Sequence, residues 1–227
     1  MAILTASNTK IVKGQKKGYM TWILHLAPAD LSGHEVCPKR SKGCTDGCLN
    51  KAGRGVMTYV QEARIRKTKR FFDDRDNFMR EMIQEIYKFT KYAKKKGFIP
   101  CFRPNGTSDM PWEKIRYQGE NLFEIFPDVQ FYDYTKILGR KTASFHNYHL
   151  TFSLAEDNMP TAMKALEQGM NVAAVFDKLP ETFMGRPVFN GDESDLRFLD
   201  PANHVIGLVA KGVAKKDTSG FVHRIAA

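Results

Sequence analysis

Three cysteines fall within twelve residues in the stretch CPKRSKGCTDGCLNKAGRG, which runs from Cys37 to Gly55. Cys37, Cys44 and Cys48 follow the pattern C-x6-C-x3-C, and the fourth cysteine, Cys101, lies far along the chain. Clustered thiols outside a disulfide framework point to metal ligation. A structural zinc needs four ligands, so His34 or Cys101 would have to complete the set. An iron–sulfur cluster held by three cysteines keeps one iron open for a substrate or cofactor. The third alternative is no metal, because a free cysteine also packs as a small hydrophobe. Pro38, Gly43 and Gly47 argue against a helix here and for a tight wrapping loop, which suits either metal.

A second constellation lies where apolar stretches turn polar. In IPCFRPNG, Ile99, Cys101, Arg103 and Asn105 share one face of a strand; in VQFYDYTK, Val129, Phe131, Asp133 and Thr135 do the same. Each set grades from apolar to polar towards its C-terminal end, as a strand does when it leaves a dry core for a solvated pocket. Arg103, Asn105, Asp109 and Asp133 are therefore the candidate catalytic residues, with Arg103 opposite Asp133 as a pair that positions a substrate or bridges the strands. Ser108 or Asp109 could equally cap a helix that begins at Pro111. Further polar groups follow other strands: Lys136, Ser153, Glu156, Asp177 and Lys211. GDESDLRFLDP could hold magnesium through its carboxylates, although turn chemistry is the favoured reading of those acids.

The net charge is +10, and it is concentrated. Residues 39–70 carry ten Lys and Arg against only Asp46 and Glu62. Such a face suits a polyanion, either nucleic acid or a phosphate-bearing substrate. Its candidate contacts are Arg40, Lys51, Arg54, Arg64, Arg66 and Lys67, although charge runs also serve simply as solvated surface.

The elements that must position these groups alternate. A buried strand in GYMTWILHLAPA is followed by the cysteine segment, a charged helix over 57–71, and a helix from Asp73 or Asp74 to the KKKG stop, its apolar residues spaced by three and four. Thereafter FIPCFRPNG, VQFYDYTK, YHLTFSLAE, NVAAVFDK, PVFNGD and HVIGLVAKG read as strands. Helices are expected after Pro111 and over MPTAMKALEQG. The pattern predicts an α/β fold of mainly parallel strands: a trimmed or partial (β/α) barrel of about seven strands, with an open α/β sheet as the alternative. The 227 residues suit one domain over 1–227, with a Cys-rich basic loop at 30–56 inserted after the first strand. No apolar run approaches the ~18–20 residues that span a bilayer, and the N-terminus lacks the order of a signal peptide. A cytoplasmic protein is the expectation, with no membrane partner.

A three-cysteine loop directly after the first strand of a parallel barrel resembles the radical S-adenosylmethionine enzymes. That resemblance implies a four-iron cluster, with the methionine moiety held near the ends of later strands and NGTSD, Asn105 to Asp109, at the place of the Gly-rich motif. The usual cysteine spacing there is C-x3-C-x2-C, shorter at both gaps. The chain is more closely similar to the bacteriophage gene product 88 family, through CPKRSKGCTDGCLNKAGRG, RPNGTSDMPWE, FYDYTK and GDESDLRFLDP. This second resemblance implies a phage gene expressed in a bacterial host cytoplasm, with nucleic acid or host factors acting on it as the target class.

Three functions follow from these residues. The first is an iron–sulfur enzyme modifying a nucleotide or nucleic acid. The second is a base-exchanging transglycosylase-like enzyme with a structural zinc and Asp109 or Asp133 as nucleophile. The third is a non-enzymatic, zinc-stapled binder of nucleic acid or a host factor, offering Tyr59, Phe71 and Phe72 for stacking.

Overall fold

The alternation of strands and helices resolves, in a computed structural model that describes residues 2–5 and 9–225, into one mostly parallel sheet. In chain order the elements are β1 (Leu4–Thr5), α1 (Thr9–Gln15), β2 (Tyr19–Leu24), α2 (Ala29–Ser32), α3 (Lys42–Asp46), α4 (Thr58–Asp73), α5 (Arg75–Lys95), β3 (Ile99–Arg103), α6 (Leu122–Ile125), β4 (Gln130–Thr135), β5 (Tyr148–Ser153), α7 (Met159–Glu167), β6 (Val172–Phe176), β7 (Thr182–Phe183), β8 (Arg186–Asn190), β9 (Val205–Val209) and β10 (Val222–His223). The ten strands run β1-β2-β3-β4-β5-β6-β9-β8-β7, with β10 also paired to β6. Among the named strands of the described residues, the antiparallel pairs are β1 with β2 and β7 with β8, and β1 and β7 form the two ends of an open sheet. The strands beyond the expected seven are the two-residue pieces β1, β7 and β10, too short to show alternation.

Helix α5 buries Phe78, Met82 and Ile86 at four-residue intervals, and Phe89 stacks on Trp22 of β2 with ring centroids 4.8 Å apart. It ends at Lys95, with Gly97 in the left-handed region at φ 76°. Pro111 precedes not an α-helix but a short 3-10 helix, Trp112–Lys114, which has no side-chain cap. The helical turn comes later as α6, where Asn121 and Glu124 form a reciprocal capping box. The cysteine segment also departs from a pure loop. Ser41 accepts the Cys44 amide and caps the single turn of α3, which contains Gly43 and Cys44.

Register decides which face each polar residue takes. Phe102 pairs with Phe131, so Cys101 and Arg103 face one side of the sheet and Phe131 and Asp133 the other. Trp22, Phe102, Phe131 and Tyr148 join the large core beneath α4 and α5, whereas Cys101 and Tyr132 pack with Leu196 on the opposite face. A second core of Phe152, Ala162, Leu166, Val172 and Val205 lies under α7. Among the described residues, no helix is long and apolar enough to cross a membrane.

Candidate functional site

The C-terminal ends of β2, β3, β4, β5, β6 and β9 open onto a cavity of about 730 Å³. Parallel strands deliver their exits to one edge, and the connections supply the chemistry there. All three clustered cysteines line this cavity, together with His25, Arg103, Asp109, Lys136, Ser153, Asp192 and Lys211.

The cysteine loop is pinned by groups remote in sequence. Glu156, just past β5, accepts the Ser41 hydroxyl at 2.7 Å and the Gly43 amide at 2.6 Å. A Cβ on Gly43 would lie 2.1 Å from Ser219 Oγ, 2.6 Å from Phe221 Cβ and 3.0 Å from Glu156 Oε2, so only glycine fits. Cys48 Sγ accepts the Asn50 amide at 3.4 Å, and the Cys37 thiol points at Thr107 O at 3.8 Å. Burial pushes the Cys37 thiol up to about 12, with Asp109 and the other two cysteines adding to the rise. Burial also raises Cys48, against the Asn50 amide. These thiols are protonated at neutral pH, and ligating a metal would release their protons. Among the described residues, no group of three His, Cys, Asp or Glu side chains is gathered closely enough to hold an ion. The two suggested fourth zinc ligands are elsewhere: His34 stacks on Phe72 at 4.3 Å, Cys101 is buried with Tyr132 and Leu196, and neither lines the cavity.

The four candidate catalytic residues separate into different roles. Arg103 lines the cavity, but its ion pair is with Asp195 at 3.1 Å, and its guanidinium lies over the Tyr134 ring at 4.8 Å. The expected Arg103–Asp133 pair is present as an ion pair at 4.0 Å, longer than the Asp195 contact and without a hydrogen bond. Asp133 is fully buried outside the cavity lining; it accepts the Asn105 backbone amide at 2.8 Å, Asn105 Nδ2 at 3.0 Å and the Tyr148 hydroxyl at 3.0 Å. Burial raises its pKa to about 7, against Arg103 and these donors. Asn105 spends its side chain on the chain: Oδ1 accepts from Ser108, Met110 and Trp112, and Nδ2 donates to Met110 O and Asp133. It folds the 105–112 loop. Asp109 caps no helix; its carboxylate accepts the Lys136 amide at 2.8 Å and approaches Arg140 at 3.5 Å, while burial raises its pKa.

The basic tract divides as well. Arg64 is buried and donates to Asn50 Oδ1 at 2.6 Å, bracing the turn after Cys48. Lys67 is buried against Ile3 O at 3.1 Å, and burial lowers its pKa to about 8, with Arg64 adding to the fall. Neither can meet a polyanion. Arg54 and Arg66 are exposed, the latter beside Glu62; Arg40 lines the cavity and is paired with Asp30 and Glu35; Lys51 is 3.9 Å from Asp30. Of the aromatic residues, Phe71 is core, Phe72 is covered by His34, and Tyr59 is 66 % exposed.

Several further cavity groups come from the strand ends that the sequence singled out, outside the four candidate catalytic residues. Lys136 Nζ donates to Ser153 Oγ at 3.1 Å, and Lys211 pairs with Asp192 at 2.6 Å. Their common signal was position immediately after a strand. His25 carried no comparable signal; burial, reinforced by Arg64, Arg103 and Lys67, lowers its pKa well below the usual histidine range and keeps it neutral. The Glu113–Arg140 pair behind the cavity, at 2.5 Å, was equally hidden because 27 residues separate its members.

A family model described as Gene product 88 matches residues 2–225. The chain therefore belongs to that phage gene-product family. No curated protein and no solved structure compared with the chain matches it.

Proposed function

We propose that the protein is an enzyme that acts on a nucleotide or nucleic acid through a three-cysteine iron–sulfur site in the cavity at the strand exits. One observation carries this reading: Cys37, Cys44 and Cys48 share a single cavity with cationic and hydroxyl groups delivered by β3, β4, β5 and β9. The donor chemistry fits, since thiolates are the usual ligands of such clusters and the Asn50 amide offers Cys48 the N–H···S bond that favours its thiolate. Among the described residues the three thiols are not gathered closely enough to hold an ion, so loading a cluster requires them to close up from their present positions. When bound, the cluster would supply redox chemistry and one iron open to a ligand such as S-adenosylmethionine.

The chain's own residues have definable tasks. Arg103, oriented by Asp195 and Tyr134, presents a fixed charge to a phosphate or carboxylate. Lys136 and Ser153 form a cation–hydroxyl pair on the neighbouring strands. Neutral His25, whose Nδ1 is buried without a hydrogen-bond partner among the described residues, can offer a hydrogen bond at the cavity wall. Asp109 orders the loop that covers Cys37 through the Lys136 amide.

The test is anaerobic reconstitution with iron and sulfide, followed by visible absorbance and metal analysis. Iron and acid-labile sulfide should be retained together, lost in Cys37→Ala, Cys44→Ala or Cys48→Ala, and kept in Cys101→Ala. A colourless chain, or one that holds only zinc, refutes the reading.

A further inference from the structure

We infer that the outer rim of the cavity, formed by residues 49–59 and 211–216, is a docking surface for single-stranded nucleic acid. The inference rests on the reading above for its substrate class. Its starting point is a set of exposed apolar side chains on two segments that both reach the cavity. Leu49, Val56, Met57, Tyr59 and Val213 are between 43 and 66 % exposed. Leu49 and Ala52 line the cavity from one segment, and Lys211 and Ala214 line it from the other. The segments meet at Gly212, where an added Cβ would lie 3.9 Å from Ala52 Cβ. Tyr59 projects beside Met57, its hydroxyl 3.3 Å from the Met57 sulfur.

Cations are interleaved with this apolar surface. Arg54, Lys215 and Lys216 are exposed and form no ion pair among the described residues. An exposed aromatic ring, flexible apolar neighbours and unneutralised cations match a strand that presents both phosphates and unstacked bases. A duplex hides its base faces, and an acidic peptide has no use for a stacking platform. Arg64 and Lys67 are buried, whereas Lys215 and Lys216 are exposed.

The experiment measures fluorescence anisotropy of labelled oligo-dT and oligo-rU against the full chain over a salt series. The rim variant is Arg54→Glu/Lys215→Glu/Lys216→Glu, and the control is Lys94→Glu/Lys95→Glu/Lys96→Glu, an equal charge change where α5 leads into β3, at the opposite end of the strands from the cavity. The rim variant should lose binding and reduce the salt slope by roughly 2, from three phosphate contacts at ~0.7 each, while the control binds normally. Tyr59→Ala should weaken binding about tenfold with the salt slope unchanged, as loss of one stacked base requires. The DNA and RNA arms decide which strand is preferred. Equal losses in rim and control variants, or binding to anionic phosphatidylglycerol vesicles without binding to either oligonucleotide, overturn the inference. Iron content is read on the same samples. Strand binding at the rim without iron supports the inference and removes the cluster from the proposed function; iron without strand binding does the reverse.

Discussion

Replacing Glu156 with alanine removes both contacts that tie the cysteine turn to the end of β5: the Ser41 hydroxyl at 2.7 Å and the Gly43 amide at 2.6 Å. Hydrogen bonds to a charged group contribute about 1.5–3 kcal/mol each when well buried. Glu156 is only half-buried, so the pair together is worth about 2 kcal/mol rather than twice the upper figure. Because the turn is held locally, the loss should raise its opening equilibrium and leave global unfolding nearly unchanged. At ~1.4 kcal/mol per tenfold, the amides over 41–48 should exchange with deuterium roughly thirtyfold faster. Hydrogen exchange read by mass spectrometry on a peptide spanning 41–48 measures this, with peptides from α5 as the internal reference. Glu156→Gln keeps an acceptor for Gly43 and a donor for Ser41, so its exchange should fall between wild type and alanine. Unchanged exchange over 41–48 in Glu156→Ala refutes the reasoning, since the loop would then be held by contacts other than this carboxylate.

Three more outcomes are expected. Arg140→Ala strands the buried Glu113 carboxylate and should cost about 3–5 kcal/mol, read as a thermal midpoint lowered by roughly 10 °C; Arg140→Met with Glu113→Met should cost less than the single change. Gly106→Ala places a Cβ 2.3 Å from Ile23 Cγ2 and 2.7 Å from Leu24 O, and should destabilise the chain by about 1–3 kcal/mol in urea titrations. Asp133 has a folded-state pKa raised to about 7, so the native chain holds a proton that the unfolded chain has already released; stability should fall between about pH 4 and 7, and Asp133→Asn should flatten that slope in pH-resolved denaturation.

Much of the architecture is legible in the sequence because period and capping are local. The four-residue spacing of Phe78, Met82 and Ile86 marked α5, and Gly97 marked its end. Arg103, Asp109 and the three cysteines were recognisable as groups at the exits of strands, and the fold brings them to one cavity. The Arg103–Asp133 pair was anticipated and is present at 4.0 Å, but the shorter Arg103–Asp195 pair was not recoverable, because 92 residues separate its members. Each strand's alternation is visible alone, but the relative phase of two strands depends on register, and Phe102 opposite Phe131 puts Arg103 and Asp133 on different faces. After Pro111 only a short 3-10 helix forms, because Asn105 gathers the preceding backbone into a hydrogen-bonded loop that local propensity does not foresee.

By itself, the sequence determined the α/β alternation, the positions of the main helices and the family to which the chain belongs. It also carried the coincidence of thiols and cations in one segment. Only the tertiary structure decided which of those charges meet solvent. Arg64 and Lys67 share a helix with the exposed Arg66, yet they turn inwards to Asn50 and Ile3. Only the fold, too, brought Glu156 and Ser219 against Gly43, across more than a hundred residues of chain. Periodicity is written in neighbours along the chain, whereas burial and partner choice are set by surfaces that meet only after the sheet has formed.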